Sequence, residues 1–68
     1  MKLTPIHTVC KPVVCPTLYW TDRGTVVVQG FDVTDAEGAP EPPSGESWVE
    51  VPISLLREGL PRISERLP

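Results

Sequence analysis

The sequence has few aromatic residues and no excess of basic charge. Its 68 residues include two tryptophans, one tyrosine and one phenylalanine, and the formal net charge is −3 at pH 7. A protein that binds nucleic acid through phosphate contacts normally carries a basic patch, and this composition argues against that class. We therefore expect no direct contact with nucleic acid.

Long apolar runs are also missing. No stretch approaches the ~18 consecutive apolar residues that mark a membrane-spanning helix. Only Lys2 and Leu3 precede polar residues at the N-terminus, which is unlike a secretory signal. The sequence predicts a cytoplasmic protein with no membrane contact, in which the cysteines stay reduced.

Residues that could carry out chemistry are scarce. The single histidine, His7, stands three residues before Cys10, and Cys15 follows after four intervening residues. A thiolate nucleophile needs a base and an orienting group, and no orienting group is evident here. We predict no enzyme activity, no catalytic residue and no small-molecule substrate.

The same spacing gives His7, Cys10 and Cys15 as three candidate zinc ligands. The fourth would have to be Asp22, water or a group from another subunit, and zinc modules usually show a second Cys/His pair. We favour free or structural thiols and no cofactor, since a free cysteine commonly behaves as a small buried hydrophobe. Zinc is the alternative, and a disulfide closing a short loop is the third interpretation.

A β-hairpin is the clearest pattern that the sequence does contain. Residues 17–21 and 25–29 are rich in β-branched and aromatic side chains, which favour strands. The linking residues 22–24 end in Gly24, which can take a positive φ in a three-residue turn. This turn places Thr21 opposite Thr25 and predicts a core face formed by Leu18, Trp20, Val26 and Val28.

The opposite face of the hairpin pairs Tyr19 with Val27 and is more apolar than a solvated face requires. One interpretation is local cross-strand packing, because scattered apolar surface residues are normal. The other is a contact surface for another chain. The contact residues would be Tyr19, Val27 and Trp48, with Arg23 at the hairpin tip as a charged rim.

Glycine and proline divide the rest of the chain. Residues 1–16 read as an irregular arm, with a short edge strand at 11–14, because prolines favour extended backbone before them. A bulge at Gly30 would extend the second hairpin strand to residue 33. Residues 35–46 hold four acids, three prolines and two glycines and predict a mobile acidic loop. This loop is either simply solvated or a contact for a basic partner.

The C-terminal third predicts one strand and one short helix. Residues 47–51 read as a third strand, with its valines inward and Trp48 outward near Tyr19. Residues 52–59 read as a helix that begins at a proline and ends at Gly59. The apolar stripe that we expect to dock on the sheet consists of Ile53, Leu56 and Leu60.

These elements predict one small α+β domain covering residues 1–68. It is a three-stranded antiparallel sheet (hairpin 17–21/25–33 plus strand 47–51) with a short C-terminal helix. A chain of this length buries only ~60% of its unfolded surface, so stability is marginal without a staple, a metal or a partner.

Two runs of the sequence resemble a group of small actinobacterial proteins. The first is CPTLYWTDRGTVVVQGF at 15–31 and the second is WVEVPISLLREG at 48–59. The group accompanies helix-turn-helix regulators of the XRE/WhiJ type in developmental or antibiotic-related regulation. The resemblance implies an accessory role and no specific mechanism.

The expected function is therefore a non-enzymatic protein–protein interaction module that accompanies a transcriptional regulator. The partner would be such a helix-turn-helix protein, or a second copy of this chain in a homodimer. A small zinc module using His7, Cys10 and Cys15 is the alternative function.

Overall fold

A computed structural model describes residues 1–10 and 15–66 of the chain. The described part is an α+β fold with strands β1 (Leu3–Thr8), β2 (Thr17–Thr21), β3 (Val26–Gln29), β4 (Phe31–Asp32) and β5 (Val49–Glu50), followed by helix α1 (Ile53–Arg66). An antiparallel three-stranded sheet has the order β1-β2-β3, and β4 pairs with β5 in a second small sheet. The edge strand predicted at 11–14 lies outside the described residues.

The hairpin between β2 and β3 has the predicted register. Trp20 lies opposite Val26 and Leu18 lies opposite Val28. At the turn the Thr21 backbone N–H donates to the Thr25 carbonyl oxygen at 3.1 Å. Gly24 has φ 73°, the left-handed conformation that a three-residue loop needs at its last position. The glycine at the end of the turn and the β-branched residues on both sides of it were thus sufficient to predict this hairpin.

The third strand of the main sheet is β1, which corrects the prediction of an irregular arm over residues 1–16. β1 pairs antiparallel with β2 along its length, with Pro5 opposite Tyr19 and a bulge between Pro5 and His7. Proline is tolerated here because β1 is an edge strand, where a missing N–H need not cost a ladder bond. Pro5 interrupts the strand-forming residues Thr4, Ile6 and Thr8, and for this reason the sequence pattern did not predict a strand here.

The chain changes sheets at Gly30, which corrects the predicted continuous strand to residue 33. β3 ends at Gln29, and Phe31 pairs instead with Glu50 of β5. A side chain at position 30 would collide with the Glu50 backbone and with Val51 Cγ1. Glycine is therefore required because the β5 backbone passes directly over it. The predicted strand 47–51 exists only as the two residues of β5, outside the main sheet.

Helix α1 is longer than the predicted 52–59. It begins one residue after Pro52, whose carbonyl accepts from the Leu55 N–H at 3.0 Å, and continues through Gly59 and Pro61 to Arg66. Gly59 is therefore a mid-helix residue and not a C-terminal cap. The Arg66 guanidinium carbon lies 4.9 Å from the centre of the Trp20 ring, a cation–π contact that holds the last turn on β2.

The core is formed by Ile6, Leu18 and Leu55, with Val9, Trp20, Val51 and Ile63 packed around them. The helix face that meets the sheet therefore consists of Leu55, Gly59 and Ile63 and not of the predicted stripe. Leu56 and Leu60 are exposed, as are Val26 and Val28 of the predicted core face. The reason is the position of α1, which packs over β1 and β2 and leaves β3 uncovered.

Gly59 sets how closely the helix approaches the sheet. A Cβ at this position would collide with Leu18 Cδ1 and lie 3.8 Å from His7 Cβ. Leu18 is 1% exposed, so its side chain cannot turn out into solvent to make room. No helix in the described ranges 1–10 and 15–66 has the length and hydropathy to cross a membrane.

We expect Gly59→Val to lower the free energy of unfolding by about 1–3 kcal/mol, because it overpacks the contact with Leu18. Urea denaturation followed by circular dichroism measures the change. The control is Ser64→Val at an exposed position of the same helix, which should change stability by no more than about 0.5 kcal/mol. Equal effects of the two substitutions would contradict the close approach at Gly59.

Candidate protein-interaction surface

The face of the main sheet opposite α1 carries a row of apolar side chains. Pro5, Tyr19 and Val27 are direct cross-strand neighbours on β1, β2 and β3. The Tyr19 hydroxyl donates to Gln29 Oε1 at 3.1 Å, which fixes the ring across the sheet. Tyr19 and Val27 are half-buried and Pro5 is exposed. This row, Pro5–Tyr19–Val27, is called the outer row below.

The structure brings together two of the four predicted contact residues, Tyr19 and Val27, as a cross-strand pair. Sequence reasoning missed Pro5, because the arm that contains it was not assigned to the sheet. The alternation of β-branched residues at 4, 6 and 8 was the pattern that could have identified it.

Arg23 lies at the tip of the hairpin, as predicted, on a well-ordered turn. Its backbone N–H donates to Thr21 Oγ1 at 3.1 Å, and the Thr25 N–H donates to the same oxygen at 3.2 Å. The Thr21 and Thr25 hydroxyl groups are also hydrogen-bonded, at 2.7 Å. These bonds hold the backbone of the turn, while the Arg23 side chain is exposed to solvent.

Trp48 is positioned differently from the prediction. It precedes β5, which pairs with β4 and not with the main sheet, so it does not extend the outer row along a neighbouring strand. Its indole Nε1–H donates to the Pro40 carbonyl oxygen at 2.6 Å, and its own carbonyl accepts from the Val33 N–H at 2.9 Å. Trp48 thus ties the acidic segment to the second sheet.

The acidic segment 35–46 contains defined turns. The Ala39 N–H donates to the Ala36 carbonyl and the Glu46 N–H to the Pro43 carbonyl. Gly38 and Gly45 have φ values of 88° and 85°, which favour glycine at these turn positions. Just before the segment, two hydrogen bonds from Thr34 lower the pKa of Asp32 from its ordinary value, the side-chain bond being the larger cause.

The two cysteines form a disulfide, Cys10–Cys15, which corrects the prediction of free thiols. The bond joins the chain just after β1 to the chain just before β2, and the Val9 N–H donates to the Pro16 carbonyl at 3.1 Å beside it. Antiparallel pairing of β1 with β2 is what brings the sulfurs together. From the sequence this disulfide ranks third, because no strand is predicted at residues 3–8 and the compartment is predicted to be reducing.

His7 is held by the helix. Its Nε2 atom lies 2.9 Å from Glu58 Oε1, which joins β1 to the middle of α1. The His7 side chain is 16% exposed and the Glu58 side chain 55%. In the part of the chain that the structure describes, no group of three or more His, Cys, Asp or Glu side chains is arranged to hold a metal ion.

A shallow cleft lies between the second sheet and the start of α1. It is lined by Phe31, Glu50, Val51 and Pro52. Glu50 is the one ionisable side chain in this lining, so the cleft does not present the convergent polar groups that are typical of a small-molecule site.

Comparison of the chain with protein-family models, curated proteins and solved structures finds no significant match.

We expect the double substitution Cys10→Ser, Cys15→Ser to lower the free energy of unfolding by about 2 kcal/mol, the chain-entropy value for so short a loop. The variant should stay folded, because the β1–β2 pairing and the helix contacts remain. Urea denaturation of the variant, and of the wild type with and without a reductant, measures the change.

The control adds a chelator to the reduced wild-type protein and analyses its metal content. Because metal-binding free energy is folding free energy in small domains, stoichiometric zinc that is lost together with structure would contradict the purely structural role of these cysteines.

Proposed function

We propose that the protein is a non-enzymatic interaction module that binds another protein through the outer row and the hairpin tip. The observation that carries this proposal is the pairing of Tyr19 with Val27 on a sheet face that the helix does not cover. The proposal includes no cofactor and no small-molecule substrate.

The geometry of the outer row suits a binding hot spot. Tyrosine is enriched among residues that dominate interface energy, because it buries a large rigid ring and keeps one polar group for a hydrogen bond. Tyr19 is on the central strand and its hydroxyl is already oriented by Gln29, so little side-chain entropy is lost on binding. Strand positions also hold a site more precisely than loops do.

Arg23 provides charge at the rim of this surface. A rim charge mainly affects the rate of association and its dependence on salt, while the apolar centre determines affinity. Trp48 is at most a secondary contact in this proposal, since its indole N–H is already bonded to Pro40.

The partner that we propose is a helix-turn-helix regulator, as the resemblance of residues 15–31 and 48–59 to the small actinobacterial accessory proteins implies. A net charge of −3 is compatible with a protein that binds the regulator and leaves DNA contacts to it. The proposed location is the cytoplasm, where thiol reductants could reduce the Cys10–Cys15 disulfide.

A zinc module is the alternative for the reduced chain. A disulfide sulfur is not a thiolate, so Cys10 and Cys15 could serve as ligands only after reduction. His7 would also have to leave Glu58, to which its Nε2 is now bonded. These two requirements make the interaction module the better-supported function.

We expect the purified chain to bind a helix-turn-helix regulator of the XRE/WhiJ type, and Tyr19→Ala to weaken that binding at least ~10-fold because it removes the central aromatic side chain. Isothermal titration calorimetry measures the affinity. Arg23→Ala should reduce the association rate and its salt dependence, which surface plasmon resonance measures.

The control is Arg57→Ala, an exposed position on the solvent side of α1 that belongs to neither surface, which should bind like the wild type. Circular dichroism confirms that each variant is folded. Binding that is undetectable for the wild type, or equally affected by Arg57→Ala and Tyr19→Ala, would contradict the proposed surface.

A further inference from the structure

Among the residues that the structure describes, strand β3 is an open edge of the main sheet. It pairs with β2 on one side and is last in the order β1-β2-β3. The bond from the Thr21 N–H to the Thr25 carbonyl shows that the peptide groups of Thr25 point toward β2. Because orientation alternates along an antiparallel strand, those of Val27 also point toward β2, while those of Val26 and Val28 point away from it.

The two outer edges of the sheet differ in how they are protected. Natural proteins block edge pairing with prolines, bulges and charged side chains. The β1 edge contains Pro5 and a bulge between Pro5 and His7, with Lys2 just before it. The β3 edge, Val26–Gln29, contains none of these features and has three successive valines. The sequence therefore blocks pairing at one edge and permits it at the other.

The side chains of Val26 and Val28 form an uncovered apolar floor on the helix side of β3. They share this face with Trp20 and Leu18, their cross-strand partners on β2. Yet Val26 and Val28 are 38% and 39% exposed, because α1 packs over β1 and β2.

The flank of α1 that adjoins this floor is also apolar. Gly59 lies over Leu18 of the central strand, and Glu58 reaches His7 of β1. With 3.6 residues per turn, Leu56 and Leu60 project from the flank opposite Glu58, which is the β3 side. Leu56 is 42% exposed and Leu60 is 55% exposed. The valines Val26 and Val28 of β3 and the leucines Leu56 and Leu60 of α1 therefore form one L-shaped apolar surface, called the step below. Nothing in the described residues covers it.

We propose that a second copy of this chain covers the step, by antiparallel pairing of β3 with its symmetry mate about a two-fold axis through Val27. Val26 of each copy then lies opposite Val28 of the other, and their outward N–H and C=O groups form four hydrogen bonds. The two sheets join into one of six strands, with both helices on the same face. Antiparallel pairing of identical strands is self-complementary, as a two-fold interface must be.

The apolar area available is sufficient for such a dimer. Ile53, three residues before Leu56, lies on the same flank of α1. The exposed parts of Val26, Val28, Ile53, Leu56 and Leu60 total on the order of 400 Å², the size of the largest patch expected on a whole monomer. A standard interface buries ~800 Å² per partner, of which a little over half is apolar. The strand backbones and polar neighbours of the step would supply the remainder.

In this dimer four valines form the centre of the floor, and the leucine flanks of the two helices face each other across it. Strands lie ~4.8 Å apart, so each leucine flank lies above the valines of its own copy and faces the other flank across the two-fold axis. The arrangement leaves Tyr19 on the opposite face of the sheet. Val27, which belongs to the outer row, lies at the two-fold axis with its side chain on that opposite face. Dimer formation itself needs no regulator and can be tested without one.

The first experiment measures oligomeric state on the purified full chain by sedimentation equilibrium and light scattering, from micromolar to millimolar concentration. The wild type should be a dimer in the upper part of this range. Val28→Lys and Leu60→Glu should each be monomers, with circular dichroism spectra like that of the wild type. Leu3→Lys is the matched control, because Leu3 is 42% exposed at the opposite edge and its substitution should leave the dimer intact.

The second experiment needs no variant. Hydrogen exchange followed by NMR should show that the amides of Val26 and Val28 become protected as protein concentration rises, while that of Val27 is protected at every concentration by its bond to β2. A chain that stays monomeric at millimolar concentration overturns the proposal. So does a dimer that survives both Val28→Lys and Leu60→Glu, or one that is lost in Leu3→Lys, which would place the interface at the β1 edge.

Discussion

The close approach of α1 to the central strand at Gly59 is the contact on which the rest of the structure depends. With no side chain at this position, the helix backbone rests directly on Leu18, and Leu55 beside it is completely buried. The helix is thereby centred on β1 and β2, and β3 is left open. A larger residue at position 59 would lift the helix away from the sheet and open a core that has few other members among the described residues.

Strand β1 provides the other half of this packing, and two links hold it in place. The Cys10–Cys15 disulfide joins its end to the start of β2, and the His7–Glu58 contact joins its middle to α1. In a chain this small the apolar core alone gives a narrow margin of stability, so a covalent closure of the β1–β2 hairpin has a proportionally large effect.

The open surfaces follow from the same packing and lie on opposite sides of the sheet. The outer row, centred on Tyr19 and Val27, is on the face without the helix, and the step of valines and leucines is on the face with it. A dimer through β3 would present two outer rows on one continuous sheet face. A partner that is itself two-fold symmetric would then meet two binding sites at once, which raises apparent affinity without any new type of contact.

The sequence by itself determined the local elements of this protein. Gly24 and the β-branched residues around it specify the hairpin and its register, because turn conformation and side-chain alternation are local properties. The sequence also sufficed to predict the α+β class and the pairing of Tyr19 with Val27. The tertiary structure alone decided which strand completes the sheet, which helix face is buried and how the cysteines are bonded. Those outcomes depend on Gly59 and on the pairing of β1 with β2, which are long-range contacts. Alternation at positions 4, 6 and 8 can indicate a strand, but it does not specify which strand pairs with it.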